Sequence, residues 1–95
     1  LDAENLIPLS FKLNNIYPNP FNPTAHFIID IPHNTTLTVD VYNILGQKVD
    51  NIYKGFIIAG IHNMSWTPKA SSSGIYFLNM KAENFIKTKK MIMLK

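Results

Sequence analysis

Apolar and polar residues alternate along much of this chain. Phe27, Ile29 and Ile31 interleave with His26, Ile28 and Asp30, and Leu37, Val39 and Val41 interleave with Thr38, Asp40 and Tyr42. That period of two places each set on one face of an extended strand, and one face of each strand must turn inward. No stretch of eleven or more residues combines apolar spacing of three and four with freedom from breakers, so no helix is expected. Runs of β-branched and aromatic residues predict strands near Leu9 to Leu13, His26 to Ile31, Thr36 to Tyr42, Gln47 to Tyr53, Gly60 to Trp66, Gly74 to Ala82 and Phe85 to Leu94. Seven strands at roughly ten-residue spacing form the pattern of an all-β, two-sheet antiparallel sandwich.

The breaks between strands have their own chemistry. Pro32-His33-Asn34-Thr35 reads as a turn, and Asn43-Ile44-Leu45-Gly46 supplies a glycine suited to positive φ. Glu83-Asn84 is a two-residue hairpin connection in which Asn84 tolerates left-handed φ, so the last two strands should pair antiparallel. Ahead of the second strand stands Tyr17-Pro18-Asn19-Pro20-Phe21-Asn22-Pro23. Its prolines remove backbone donors and push the preceding residues toward extended conformations, which excludes an inner strand and predicts a stiff loop. Tyr17 and Phe21 are expected to pin its ends to the core; the functional alternative is a Pro-rich ligand for an aromatic groove.

At 95 residues the chain is the size of one domain, with 46% hydrophobic and only 16% charged residues, which excludes disorder and a coiled coil. No apolar run approaches the length that spans a bilayer as a helix. Cysteine is absent, so disulfides, thiolate metal sites and a cysteine nucleophile are excluded. The chain begins at Leu1 without a leader, and is expected to be a module of a longer protein, with residues 1–8 as a lead-in linker and 9–95 as the domain. The net charge of +3 is unevenly spread. Residues 1–50 carry two lysines against five acids, whereas residues 51–95 carry seven lysines against Glu83 alone. Every cation is lysine and none arginine, which argues against nucleic acid, whose readers rely on the guanidinium fork.

Catalytic chemistry finds little footing. His26, His33 and His62 lack the spacing that places two imidazoles on one side of one element, and Asp30, Asp40 and Asp50 fall on separate strands without a calcium-loop pattern. No serine lies in a nucleophile elbow and no glycine-rich phosphate loop occurs, so neither an active site nor a cofactor is expected. Asn34-Thr35-Thr36 and Asn63-Met64-Ser65 fit the glycosylation sequon, a match that short chance provides. Tyr42, Tyr53, Trp66, Tyr76 and Phe77 offer a second reading, a sugar-stacking platform on a carbohydrate-binding or spacer module. A lone tryptophan is more economically a core residue. The final run, Phe85 to Lys95, is apolar on both faces at Met91 to Leu94 and flanked by Lys87, Lys89, Lys90 and Lys95. It reads as an edge strand kept soluble by lysines, with recognition of this basic strand by a partner as the sharper alternative.

Taken in order, Tyr17 to Thr24, then Val41-Tyr42-Asn43-Ile44-Leu45-Gly46-Gln47-Lys48-Val49, Ala59-Gly60-Ile61-His62 with Trp66, Ser73-Gly74-Ile75-Tyr76-Phe77, and Lys89-Lys90-Met91 up to Lys95 closely resemble the C-terminal sorting domain of type IX (Por) secretion cargo, type A. The resemblance covers residues 9–95 and extends to the Ig-like domain of the flagellar hook-capping protein, so it implies an Ig-like sandwich. It further implies a non-catalytic address that guides a folded cargo from the periplasm through the outer membrane of Bacteroidetes-related bacteria to the surface or the medium. The implied partners are the outer-membrane secretion machinery and a surface sortase, and a monomer is expected. Carried over by motif, the recognition positions are Pro18, Asn19, Pro20, Gly46, Gly74, Tyr76, Lys87, Lys90 and Lys95. Asn43 stands where the family often has Asp, and Thr67 follows the tryptophan where Asp is frequent, which puts charge-specific roles at those two positions in question.

Overall fold

A computed structural model describes residues 7–69 and 73–94. Seven strands follow one another: β1 (Lys12–Leu13), β2 (Ala25–Ile31), β3 (Thr35–Asn43), β4 (Lys48–Ile57), β5 (Gly60–Trp66), β6 (Gly74–Ala82) and β7 (Phe85–Met93). They form two sheets, one in the order β1-β2-β5 and the other in the order β4-β3-β6-β7, with antiparallel pairing throughout. This is an all-β sandwich whose connections cross between sheets after β2, β4 and β5, an arrangement compatible with an Ig-like fold. β4 pairs with β3, where the constant-type immunoglobulin arrangement would put the fourth strand beside the fifth.

The alternation read from the sequence determines which faces meet. Phe27, Ile29 and Ile31 of β2 lie against Leu37, Val39 and Val41 of β3 and Leu78, Met80, Met91 and Met93 of β6 and β7, all of them buried in one core. Burying each such side chain contributes about 1.5–3 kcal/mol, and with no disulfide this layer is what holds the sheets together. Trp66 joins the same core and packs edge-on to Tyr76, with ring centroids 5.2 Å apart.

Several elements depart from expectation. β1 is confined to Lys12–Leu13, with Leu13 in the core, and Leu9 is fully exposed; ahead of β1 it is Phe11 that packs, stacking on Phe85 and meeting the edge of His33. β4 runs on to Ile57 because Gly55, at φ 146°, continues the strand opposite Leu37 in a conformation that favours glycine. In the last hairpin the residue with positive φ is Glu83, at 53°, and not Asn84. Glu83 is held there by His33, whose Nε2 lies 2.7 Å from its carboxylate.

β4 also carries two register shifts against β3, which leave Ile52 and Val49 without partners. Each extra residue reverses the alternation locally. The first sets Asn51 over Asp40, to whose carboxylate it donates at 2.7 Å, so that Asp40 is buried although it belongs to the outward set. It also turns Asp50 inward opposite Val41, where its Oδ2 accepts a 2.8 Å hydrogen bond from the indole Nε1 of Trp66.

Candidate functional site

β7 lies at the edge of the four-stranded sheet, as its lysines suggested. Met91 and Met93 point into the core, while Ile92 and Leu94 face outward and Leu94 is exposed. The N–H and C=O of Ile92 and the N–H of Leu94 bond away from β6, so by the alternation of the ladder the backbone groups of the even-numbered residues face the open edge. Over the second half of the strand that edge is covered by the proline-rich segment. Phe21 N–H donates to the Ile92 carbonyl at 2.8 Å, and Leu94 N–H donates to the Phe21 carbonyl at 3.1 Å. Next to them, on the hairpin side, the Asn19 amide acts as a substitute for a strand: its Nδ2 donates to the Lys90 carbonyl at 3.2 Å, and its Oδ1 accepts from Ile92 N–H at 3.0 Å.

The clasp is anchored from inside. The Phe21 ring is buried, 5.9 Å from the Trp66 ring between centroids. The two ends of the loop were expected to be pinned alike, and they are not. Tyr17 is half exposed; it holds the loop through a backbone pair with His26, at 2.9 and 2.8 Å, and by stacking on the His26 ring. The X-Pro bonds preceding Pro18, Pro20 and Pro23 are cis.

Most sequence-predicted recognition positions gather at this end of the sandwich. Pro18 and Pro20 are exposed on the outside of the clasp, and Lys90 presents its side chain on the outer face of the sheet opposite Phe77. Gly74 opens β6 opposite Met93. Tyr76 pairs with Met91 on one side and Asn43 on the other, its ring buried against Trp66. Gly46, at φ 81°, lies in the turn that Asn43 closes by accepting hydrogen bonds from the N–H groups of Leu45 and Gln47. Lys87 stands apart, exposed toward the far end of β7 on the inward-facing row. Lys95 lies outside the described residues, as do residues 1–6 of the lead-in.

The remaining chemistry is sparse. A cavity of about 330 Å³ opens at the same end and is lined by Asn43, Asp50, Trp66, Lys69 and Tyr76. Its rings meet edge-on and are buried, so neither displays the open face that stacks on a sugar. Among the described residues no three His, Asp or Glu side chains converge as metal ligands. His62 bonds the Ile58 carbonyl, His33 pairs with Glu83, and His26 stacks on Tyr17.

The family described as secretion system C-terminal sorting domain matches residues 15–94, from just before the clasp to the end of the terminal strand. The chain belongs to that family. Comparison with curated proteins and with solved structures found no match. Membership in the sorting-domain family identifies the chain as a C-terminal sorting signal of type IX secretion, exported to the cell surface or secreted, and implies contact with the secretion machinery. The two positions that depart from the resembled pattern have partners of their own. Asn43 keeps, through its amide oxygen, the two turn hydrogen bonds that a carboxylate would accept, and the Thr67 hydroxyl lies 2.7 Å from that of Thr24 beside the clasp.

The sequence did not single out Asn15, Lys89 or Asp50 as site residues. Lys89 Nζ donates to Asn15 Oδ1 at 3.0 Å, extending the clasp toward β1, and Asp50 reaches Trp66 only because of the bulge in β4. Neither contact has a local signal, since the partners are 74 and 16 residues apart.

Proposed function

We propose that residues 9–95 form a self-folding, non-catalytic address at the end of a larger cargo, with residues 1–8 as the lead-in, and that the address carries the folded cargo from the periplasm through the outer membrane. The family match over residues 15–94 carries this reading. The geometry adds support: the clasp and the second half of the terminal strand form one accessible surface at one end of the sandwich, with Pro18, Pro20 and the Lys90 side chain exposed there and Lys87 exposed farther along the same strand. The machinery reads that surface, with Lys95 continuing its charge, and a surface sortase then removes the domain. Asn19, Gly46, Gly74 and Tyr76 serve recognition indirectly, by holding the strand and turns in place. The protein acts as a monomer in this reading.

The test is a fusion of residues 1–95 to a fluorescent reporter with a signal peptide, expressed in a bacterium that has the type IX machinery. The reporter should reach the surface or the medium. A folded fusion that stays in the periplasm would overturn the reading.

A further inference from the structure

The clasp covers only part of the β7 edge. Asn19 and Phe21 engage the strand from Lys90 to Leu94, and Asn15 meets Lys89. Nearer the hairpin, the N–H and C=O groups of Ile86 and Thr88 face the same open edge by the alternation of the ladder, and among the described residues no other strand pairs with them there. An unpaired stretch of edge is a template for one more strand.

What lies beside that stretch gives it a preference. A groove of about 300 Å³ opens between β1 and β7, with an apolar floor of Phe11, Leu13 and Phe85 and a rim of Lys12, Lys87 and Lys89. Two acids stand near it: Asp30, which accepts a hydrogen bond from the neutral Asn14 amide and keeps its charge opposite Lys12 across β1 and β2, and Glu83, which is paired with His33. The contact of His33 with Glu83 is the one acid–base pair within 4 Å among the described residues, so Lys87 and Lys89 have no acidic partner at that distance, while Lys12 has Asp30 opposite it in the ladder.

We infer that this half-edge accepts a short, extended, acidic segment of a protein partner as an added strand beside Ile86 and Thr88. In a strand laid there, alternate side chains face the groove beside Lys87 and Lys89, and those between them lie on the outer face beside exposed Ile86. The fitting segment therefore alternates acidic with apolar residues. Its length is set by the clasp, since Asn19 already holds the Lys90 carbonyl. This surface rests on the sorting reading only for the partner's place in the secretion machinery; the docking chemistry stands apart from it.

The probe is a capped nine-residue peptide of alternating Glu and Val, titrated into the isotope-labelled full chain at low salt and followed by amide chemical shifts. The largest shifts should fall at Ile86 and Thr88. Binding should weaken roughly tenfold in a Lys12→Gln, Lys87→Gln, Lys89→Gln variant shown to melt normally, and should fall with added salt. It should be lost when alternate peptide amides are N-methylated to block strand pairing. Shifts centred on β4 or β5, undiminished binding by the N-methylated peptide, or full affinity in the lysine variant would each overturn the inference. So would anionic phosphatidylglycerol vesicles binding through the same lysines while the peptide fails to compete. A chain that binds the peptide but is not exported upholds the docking surface and refutes the sorting reading, and the reverse pattern does the opposite.

Discussion

Replacing Asn19 by alanine separates a structural clasp from a recognition motif. The substitution removes the donor to the Lys90 carbonyl and the acceptor for Ile92 N–H, and leaves Phe21 and its two backbone bonds in place. Each hydrogen bond contributes about 0.5–1.5 kcal/mol net, and because both lie at an exposed edge where water replaces the lost partner, the pair is expected to cost about 1–2 kcal/mol. For a domain of this size, that lowers Tm by roughly 4–8 °C per kcal/mol.

The global figure alone does not locate the effect, so the decisive assay is native-state hydrogen exchange. Ile92 N–H points at Asn19, Leu94 N–H at Phe21, and Met91 and Met93 alternate with them to face β6. Loss of about 1–2 kcal/mol from local closure raises exchange at Ile92 by roughly 5–30-fold. Leu94 should respond less, and Met91 and Met93 least. Asn22→Ala, in the same motif on an exposed residue, serves as the control and should leave all four amides unchanged. Unchanged exchange at Ile92 in Asn19→Ala would refute the clasp, whatever the melting temperature did.

Three further outcomes follow from the same geometry. Trp66→Phe keeps an aromatic ring but strips the donor from Asp50, and should cost about 1–3 kcal/mol in denaturant unfolding; Asp50→Ala should then add little when combined with Trp66→Phe. Gly46→Ala should cost about 1–2 kcal/mol from backbone strain alone, because φ is 81° and no atom crowds the new methyl, and Gly46→Asn should recover part of it. Hydrogen bonds from Thr35 and His33 hold the Glu83 carboxyl below the ordinary carboxylate range. With the folded value depressed, its stabilisation is complete above the unfolded value of about 4.3 and disappears as pH falls through the folded one. The Tm gap between wild type and Glu83→Gln, measured from pH 7 to pH 3, should close on acidification.

Much of the sandwich is legible in period-two alternation, because a strand with one buried face cannot slip without exposing Phe27, Ile29 and Ile31 or Leu37, Val39 and Val41. β5 and β6 begin and end where glycine, turn residues and aromatic runs place them. The β4 bulges are another matter. Nothing local distinguishes Ile52 and Val49 as the unpaired residues, since the shift is settled by what Asp50 and Asn51 gain across the sheet, namely the indole of Trp66 and the carboxylate of Asp40. The last hairpin departs from expectation for a related reason. Asn is the better intrinsic left-handed residue, but the tertiary partners Thr35 and His33 lie beside Glu83. At the candidate site, the proline-rich segment is legible as a stiff loop, yet its partner is not, because Asn19 meets its backbone contacts 71 and 73 residues away.

That long-range contact divides the motif positions by what each presents to a partner. Pro18, Pro20, Lys87 and the Lys90 side chain face solvent, whereas Asn19 spends its amide on β7, Tyr76 is buried against Trp66, and Gly46 serves a turn. In the proposed reading, a recogniser touches the first set directly and feels the second only through the position of the terminal strand. Export should therefore track stability for substitutions at Asn19, Gly46 and Tyr76, recovering when a stabilising change elsewhere restores Tm. Lys87→Gln with Lys90→Gln should lower export without moving Tm. Paired export and melting measurements on the same variants check this, and export lost at Asn19→Ala with an unchanged Tm and unchanged Ile92 exchange would make Asn19 a direct contact of the machinery. Removing the last residues of the chain cannot make the distinction, because Leu94 N–H bonds Phe21 and its loss loosens the clasp together with the charge.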